Sequence, residues 1–265
     1  MAYFSGWYYK CQSNDKTLAI IDACHNNSKS IQIITDNGVY YFNKNLDKCY
    51  FSDREIRLDL NENGVHITGD IIFGEFTKIK YDIMGPFKYV PFMQCRHSVK
   101  SMRHKINGKI YINNEEYDFS DSLCYIEGDR GYSFPKQYLW THCFINDGSI
   151  MLSVADIPFL FMNFIGIIGV VFYKNKEYRI ATYLGAKVTM IGDGYVKIKQ
   201  GKFTLIAKLI EKNSFPLNAP ENGVMERTIH ESASCKAEYA FYIENNKIFD
   251  EISDKASFEF EFFSR

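Results

Sequence analysis

The chain has 265 residues, of which 46% are apolar and 24% are charged, and its 31 Lys and Arg nearly balance its 32 Asp and Glu. This composition is typical of a globular protein and excludes a disordered chain. The formal charge of −1, without a dense basic cluster, argues against nucleic acid or an anionic membrane as a partner. Aromatic residues, at 16%, favour a β-rich core or an apolar ligand cavity.

Seven cysteines are scattered along the chain and never stand in a C-x-x-C pair. Their odd number and their spacing indicate free thiols rather than a disulfide framework or a zinc ribbon. The first residues, MAYFSGWYYK, lack the basic and then apolar layout of a signal peptide. Together these features predict a cytoplasmic protein with reduced cysteines.

Runs of alternating apolar and polar residues, separated by Asn, Asp and Gly turns, follow one another along the chain. In chain order they include SIQIIT, VYYF, EIRLDL, VHITGDIIFGEF, KIYI and YVKIKQGKFTLIAKLI. The last run, ASFEFEFF, places Phe258 and Phe260 on one face and Glu259 on the other. Few windows have helical periodicity. The sequence therefore predicts an antiparallel all-β protein of barrels or sandwiches with few helices.

The segment 86–105 interrupts the alternation with two prolines and several basic residues. We interpret it as the connection between two β units that pack on each other, residues 1–94 and residues 95–265. A second unusual segment, 157–173, is almost wholly apolar but contains Pro158 and two glycines. It is shorter than the ~20 residues that a bilayer-spanning helix needs. We expect two buried strands there and no transmembrane segment.

The densest cluster of reactive side chains lies in YIEGDRGYSFPKQYLWTHC, residues 125–143. In an extended strand, Tyr125, Glu127 and Asp129 share one face. Two carboxylates this close can couple, so that one holds a proton near neutral pH for donation to a substrate. The alternative is a surface turn with an Asp–Arg pair, which contributes little stability.

The run that follows, Tyr138 to Phe144, alternates as a second strand. Tyr138, Trp140 and His142 share one of its faces, which forms an aromatic wall with one titratable imidazole.

The histidines do not have the spacing of a metal site. His97 and His104 are an odd number of residues apart, so one continuous strand would point them to opposite faces. His25, His66 and His230 have no carboxylate or cysteine at ligand spacing. Phosphate-loop, dinucleotide-binding and nucleophile-elbow motifs are absent from the sequence. We therefore expect no metal and regard each lone histidine as a structural residue.

The 125–143 cluster resembles the motif of the tocopherol cyclase family, Y-x-E-x-x-x-G-x-x-F-P-x-x-x-x-W-x-x-C. The bacterial members look still more similar, because features of theirs recur along nearly the whole chain: Gly6-Trp7-Tyr8-Tyr9-Lys10, Gly85-Pro86-Phe87 with Pro91 and Met93, Cys95-Arg96-His97-Ser98-Val99, Ser153-Val-Ala-Asp-Ile-Pro158 and Ala181-Thr-Tyr-Leu-Gly-Ala-Lys187. The family is similar in turn to carotenoid hydratases in a lipocalin-like superfamily. The resemblance implies two lipocalin-like β units around an apolar cavity.

The chemistry that the resemblance implies is protonation of an alkene, formation of a tertiary carbocation and its capture by oxygen, without cofactor or metal. Glu127 or Asp129 would supply the proton. Tyr125, Tyr138 and Trp140 would line the path of the cation. His142 or Arg130 would orient the head group. All five residues are therefore predicted to bind the substrate. Where the plant enzymes carry Lys-Asn-Trp, this chain has Gly128-Asp129-Arg130. A head group other than a prenyl quinol is therefore compatible with the resemblance.

Three functions remain open at this stage. The first is an isomerase of the intramolecular lyase type, or a related hydratase, that acts on a prenylated or polyene lipid. The second is a lipocalin-like carrier that binds a hydrophobic small molecule without changing it, because a fold alone does not fix function. The third is an interaction protein, which would expose a large apolar patch.

Overall fold

Twenty β-strands form two antiparallel sheets of ten strands each in the computed structural model, which describes residues 3–26, 28–91, 93–159, 162–211, 214–221 and 224–262. No α-helix occurs in these ranges, and three short 3₁₀ turns lie at Leu46–Lys48, Gly85–Tyr89 and Thr182–Leu184. This architecture confirms the antiparallel all-β prediction. Within the described ranges, no helix has the length and apolar character that crossing a bilayer requires.

The first sheet contains β1 Phe4–Gln12, β2 Thr17–His25, β3 Ser28–Thr35, β4 Gly38–Phe42, β5 Tyr50–Phe51, β6 Glu55–Glu62, β7 Val65–Phe73, β8 Cys95–Ile112, β9 Glu115–Asp118 and β10 Ser122–Gly131. The second contains β11 Tyr138–Ile145, β12 Gly148–Phe159, β13 Met162–Tyr173, β14 Lys176–Ala181, β15 Lys187–Gly192, β16 Tyr195–Gln200, β17 Phe203–Glu211, β18 Phe215–Glu221, β19 Val224–Ile243 and β20 Asn246–Phe260.

The two sheets repeat one strand order. The first runs β4-β3-β2-β1-β10-β8-β7-β6-β5, with β9 paired to β8, and the second runs β14-β13-β12-β11-β20-β19-β17-β16-β15, with β18 paired to β19. In each sheet the last long strand therefore returns to pair with the first. The strands β1 and β10 of one sheet thus correspond in position to β11 and β20 of the other.

The break between the sheets falls between Gly131 and Tyr138. Residues 95–131, which the sequence assigned to the second unit, pair within the first sheet as β8, β9 and β10. Strand β8 begins at Cys95, so the basic residues from Arg96 onward belong to a strand. Because a strand alternates its faces, exposed Lys105 stands beside buried Ile106, and the basic cluster does not interrupt pairing.

Alternation along the central strands produces three hydrophobic clusters. On β10, Cys124 and Ile126 face the interior of the first sheet, while Tyr125 faces the second sheet. On β11, Leu139 faces the interior of the second sheet, while Trp140 faces the first. Each Ile or Leu that these clusters bury fully contributes roughly 2 kcal/mol by removing apolar area from water. Two filled interiors and one shared interface result.

The apolar segment 157–173 belongs to this core as the hairpin of β12 and β13, with Ile157 opposite Phe164. The expectation of two strands there is confirmed, and its turn at 160–161 lies outside the described residues. Both strands contribute to the interface between the sheets through residues such as Ala155 and Val170.

Polar contacts join the two sheets around this interface. The Gln32 side chain donates to the Asn218 carbonyl (3.1 Å) and accepts from the Asn218 amide (3.2 Å). The Arg179 guanidinium, paired with Glu177 at 2.9 Å, donates to the Tyr81 carbonyl at 2.8 Å. The long connection between β7 and β8 is thereby fixed to the second sheet, where it covers one side of the interface.

Candidate active site

A cavity of about 180 Å³ lies between the two sheets. Most of its lining is aromatic or aliphatic and comes from both sheets, including Phe4, Trp7, Phe134, Ile157, Phe164 and Leu217. The ionisable residues that line it are His97, Glu127, Asp129, Glu259, Tyr8, Tyr138 and Cys95. An apolar cavity with a few convergent polar groups is the usual form of a small-molecule site.

Glu127 stands at the centre of the polar group and is only 5% exposed. Its Oε2 accepts hydrogen bonds from the Tyr125 hydroxyl (2.5 Å) and the Trp140 indole (3.1 Å), and it lies 3.0 Å from Nε2 of His97. All of these contacts fall on Oε2. Among the described residues none of these contacts falls on Oε1, so Oε1 is the oxygen left for a further hydrogen bond.

His97 bridges the two carboxylates of β10. Its Nδ1 lies 2.9 Å from Oδ1 of Asp129, the residue directly opposite it in the strand register, while Nε2 faces Glu127. Burial by itself would lower the pKa of His97, but the charges of Asp129 and Glu127 and their hydrogen bonds raise it well above the ordinary value. His97 is therefore an imidazolium at neutral pH.

Asp129 also receives a contact from the thiol of Cys95, whose Sγ lies 3.3 Å from Oδ1. Burial, followed by the charge of Asp129, raises the pKa of this thiol well above its ordinary value. Cys95 is therefore a neutral donor and not a thiolate nucleophile. Because the thiol is neutral, His97 is the cationic partner of Asp129 within the cluster.

A close approach at Gly128 leaves no room for a side chain. A Cβ on Gly128 would lie 2.7 Å from the Trp7 ring and 2.8 Å from the Gly6 carbonyl oxygen. Trp7 therefore packs directly against the β10 backbone between Glu127 and Asp129, and both Trp7 and Gly128 are among the residues that line the cavity.

Tyr125 and His142 form a layer behind the cavity. Their rings stack with centroids 3.7 Å apart, and neither residue lines the cavity. Burial, followed by the charge of Glu127, raises the pKa of Tyr125 well above its ordinary value, so it stays a phenol that donates to Glu127. Burial, followed by the charge of Lys10, lowers the pKa of His142 well below its ordinary value. His142 is thus a neutral ring that holds Tyr125 in place.

The opposite wall carries a second carboxylate. Glu259 on β20 is 8% exposed and accepts a hydrogen bond of 2.5 Å from the Tyr138 hydroxyl. It lies directly opposite Trp140 in the pairing of β20 with β11. Burial, followed by the charge of Glu259, raises the pKa of Tyr138 well above its ordinary value. Tyr138 is therefore the donor and Glu259 the acceptor.

Four of the residues that the sequence selects line the cavity: Glu127, Asp129, Tyr138 and Trp140. Arg130 does not share their face. It is exposed and lies outside the cavity lining, because the residue after Asp129 in an extended strand must point the other way. The binding role expected for Arg130 is corrected accordingly.

Two site residues escape the sequence reasoning, His97 and Glu259. His97 was regarded as structural because its partners lie on a different strand, which no spacing along the chain reveals. Glu259 carried a usable signal, since the alternation in ASFEFEFF separates it from Phe258 and the core. Its face meets the other sheet instead of solvent, which a strand pattern alone does not show.

The histidine spacing predicts no metal site, yet the fold brings His97, Glu127 and Asp129 together with ligand atoms within 4.8 Å of one another. Each nitrogen of His97 faces a different carboxylate, which is the arrangement of an imidazolium between two anions. A metal ion would require one nitrogen and both carboxylates to converge on a single point. The pairing of each nitrogen with its own carboxylate favours a hydrogen-bonded imidazolium over a metal ligand.

No protein-family model matches the sequence. No curated protein matches it either. A crystal structure of a protein described as a candidate AttH from Nitrosomonas europaea has the same fold, with a TM-score of 0.50 and 8% identity over 97% of this chain and 92% of that one. The binding domain of botulinum neurotoxin DC aligns with a TM-score of 0.16 and 10% identity over 98% of this chain and 78% of that one, which carries no structural argument. Fold and site together define a two-sheet β protein with an acid-bearing apolar cavity.

Proposed function

We propose that the protein is an enzyme that protonates a carbon–carbon double bond of a hydrophobic substrate and lets an oxygen nucleophile capture the resulting carbocation. The observation that carries this proposal is the setting of Glu127. Its carboxylate is part of the wall of an apolar cavity, three groups hold one oxygen, and the other oxygen is left for the substrate.

The neighbours of Glu127 form a route for its proton. The side-chain exposure falls from 23% at Asp129 to 9% at His97 and 6% at Glu127. A proton therefore enters most readily at Asp129 and passes through His97 to Glu127. The positive charge of His97 also lies beside the carboxylate that Glu127 leaves after donation, and opposite charges at this distance attract.

The cavity also suits the intermediate. A tertiary carbocation survives only where water is excluded, and electron-rich ring faces attract positive charge. Trp140 and Tyr138 supply such rings from the second sheet. The Tyr8 ring meets Trp140 edge to face, with centroids 5.4 Å apart, and fixes its orientation.

The substrate that we propose is a prenylated quinol or an acyclic polyene lipid, handled in the cytoplasm. With a quinol, the phenol oxygen closes a ring and the protein is a tocopherol cyclase-like isomerase. With a polyene, water adds and the protein is a hydratase. The motif around Glu127 and Trp140 resembles that of the cyclases, which favours ring closure.

The second candidate function is a carrier of a hydrophobic small molecule. It is favoured by the apolar lining, which would retain a lipid without any reaction. The two functions differ in one outcome, the formation of a new carbon–hydrogen bond.

The test is mass spectrometry of reactions in heavy water with a panel of prenylated hydroquinones and acyclic polyenes. The enzyme is expected to give a product with one new carbon-bound deuterium, and Glu127→Gln is expected to lose this product. Glu75→Gln, a change at an exposed carboxylate outside the cavity, is the matched control and should behave as wild type. Binding without deuterium incorporation would establish the carrier, and equal incorporation by Glu127→Gln would remove Glu127 as donor.

A further inference from the structure

We propose that Glu259, on the wall opposite Glu127, is the base that accepts the proton which the oxygen nucleophile loses. This inference rests on the proposed function and assigns the second half of the same reaction. The oxygen substituent of the substrate, a phenol or alcohol hydroxyl or a water molecule, would lie against Glu259 and Tyr138.

The first support is the position of the two carboxylates in the repeated fold. Glu127 is on β10 and Glu259 is on β20, the strands that return to pair with the first strand of their sheets. Glu127 lies opposite Tyr8 of β1, and Glu259 lies opposite Trp140 of β11. Each sheet therefore presents one glutamate from the corresponding strand to the same cavity.

The second support is the difference between their partners. Glu127 lies beside the imidazolium of His97, a source of protons. Glu259 accepts from Tyr138, a phenol that burial and the neighbouring carboxylate keep protonated. A buried carboxylate held by a neutral phenol in an apolar wall is suited to receive a proton.

The third support is the link between the walls. The indole of Trp140 donates to Glu127, while its backbone pairs with Glu259. The ring is therefore part of the wall between the two carboxylates. A substrate alkene over this ring has the acid on one side and a proton acceptor on the other, so the oxygen can approach the cation from the acceptor side.

The proposed sequence balances. The O–H bond of Glu127 breaks as a C–H bond forms at the less substituted alkene carbon. A lone pair of the nucleophile forms the C–O bond at the cationic carbon, and its O–H proton passes to the Glu259 carboxylate. After the product leaves, Glu259 releases that proton to water, and water reprotonates Glu127 through Asp129 and His97. The net change is ring closure, or addition of water.

The experiment separates proton delivery from oxygen capture. In heavy water, Glu259→Gln is expected to keep delivering deuterium to the alkene. A cation that is not captured by oxygen then loses a proton to Glu127 and returns to the alkene, so deuterium is found in the recovered substrate. Its C–O-bonded product should fall by about 100-fold. Glu261→Gln, next to the same strand but outside the cavity lining, is the matched control. Tyr138→Phe should shift the same product ratio in the same direction by a smaller factor.

Two outcomes overturn this inference, and each differs from failure of the proposed function. If Glu259→Gln and Tyr138→Phe both keep the wild-type ratio of closed or hydrated product to deuterated substrate, Glu259 is not the base. If both lose deuterium delivery and product together, as Glu127→Gln should, their role is not separate from the acid. Failure of the proposed function itself would appear as absence of deuterium from every wild-type reaction.

Discussion

Two positions on the same strand place histidines in opposite chemical states. His97 and His104 both lie on β8 and are 8% and 3% exposed. The pKa of His97 is raised well above its ordinary value, whereas burial lowers the pKa of His104 to about 4. Equal burial therefore does not give an equal charge.

The difference comes from the neighbours of each ring. Nδ1 of His104 lies 2.9 Å from the Ser101 hydroxyl, and its ring packs against Phe73 and Phe76 with centroids 5.2 and 4.6 Å away. None of these groups carries a charge, so burial alone decides its pKa. His97 has a carboxylate at each nitrogen, and two charges outweigh the same burial. The comparison separates a charged environment that lines the cavity from a packing environment on one strand.

The largest effect is expected when His97 is replaced by asparagine, with the same replacement of His104 as the control. His97→Asn should lower the rate of deuterium delivery by about 100-fold to 1,000-fold, because the proton supply to Glu127 is cut. It should also remove the alkaline limb of the pH–rate profile, which a merely structural change would leave in place. His104→Asn should keep the wild-type rate. Equal losses in both variants would contradict the division of roles.

The next effect is on stability below neutral pH. His104 has a folded pKa of about 4 and an ordinary value of 6.5, so between these values the unfolded chain binds a proton that the folded chain refuses. Its contribution is complete above about pH 6.5 and decreases as the pH falls toward 4, by up to about 3 kcal/mol. Urea unfolding at pH 4.5 and 7 should show a smaller pH difference for His104→Asn than for the wild type. The same difference in both proteins would refute the assignment.

A smaller effect is expected at His97 when one of its carboxylates is neutralised. Asp129→Asn should lower the pKa of His97, since an opposite charge at hydrogen-bond distance is removed. The sign for stability is opposite to that of His104: the contribution of His97 is present below its ordinary pKa and is lost as the pH rises through its folded pKa. Titration of the imidazole proton resonances by NMR measures this change, with His104 as the internal control. An unchanged pKa of His97 in Asp129→Asn would show that Asp129 is not its charge partner.

The smallest expected effect concerns the packing around His104. Phe76→Leu removes a ring contact and should lower the free energy of unfolding by about 0.5–1.5 kcal/mol, with the rate of deuterium delivery unchanged. Denaturant midpoints and the isotope assay on the same preparation provide the measurement. If the folded Phe76→Leu protein lost deuterium delivery as well as stability, the surroundings of His97 and His104 on β8 would be coupled.

Strand identity in this molecule follows from local alternation, which is why the all-β architecture and the 157–173 hairpin could be predicted. The boundary between the sheets could not. It depends on which distant strands pair, and β8 and β10 join β1 through contacts that no neighbouring residues encode. The prolines at 86 and 91 mark an irregular segment, but this segment lies inside the first unit.

The site divides in the same way. The shared face of Glu127 and Asp129 and the wall containing Trp140 follow from period-two spacing within single strands. The partnership of His97 with Asp129 follows from the register between two strands that are remote in sequence. Glu259 required the knowledge that its face meets the other sheet. Site residues that share a face of one strand could be predicted from the sequence, whereas residues whose partners lie on another strand could not.

The repeated strand order also has an evolutionary consequence. Two identical chains packed about a two-fold axis would place the same glutamate, with the same neighbours, on both sides of the shared cavity. Covalent linkage of the halves lifts that symmetry, so each wall can change independently. In this chain one wall has His97 beside its glutamate and the other has Tyr138. Tandem fusion of a repeated unit thus permits a division of labour that a symmetric homodimer cannot reach.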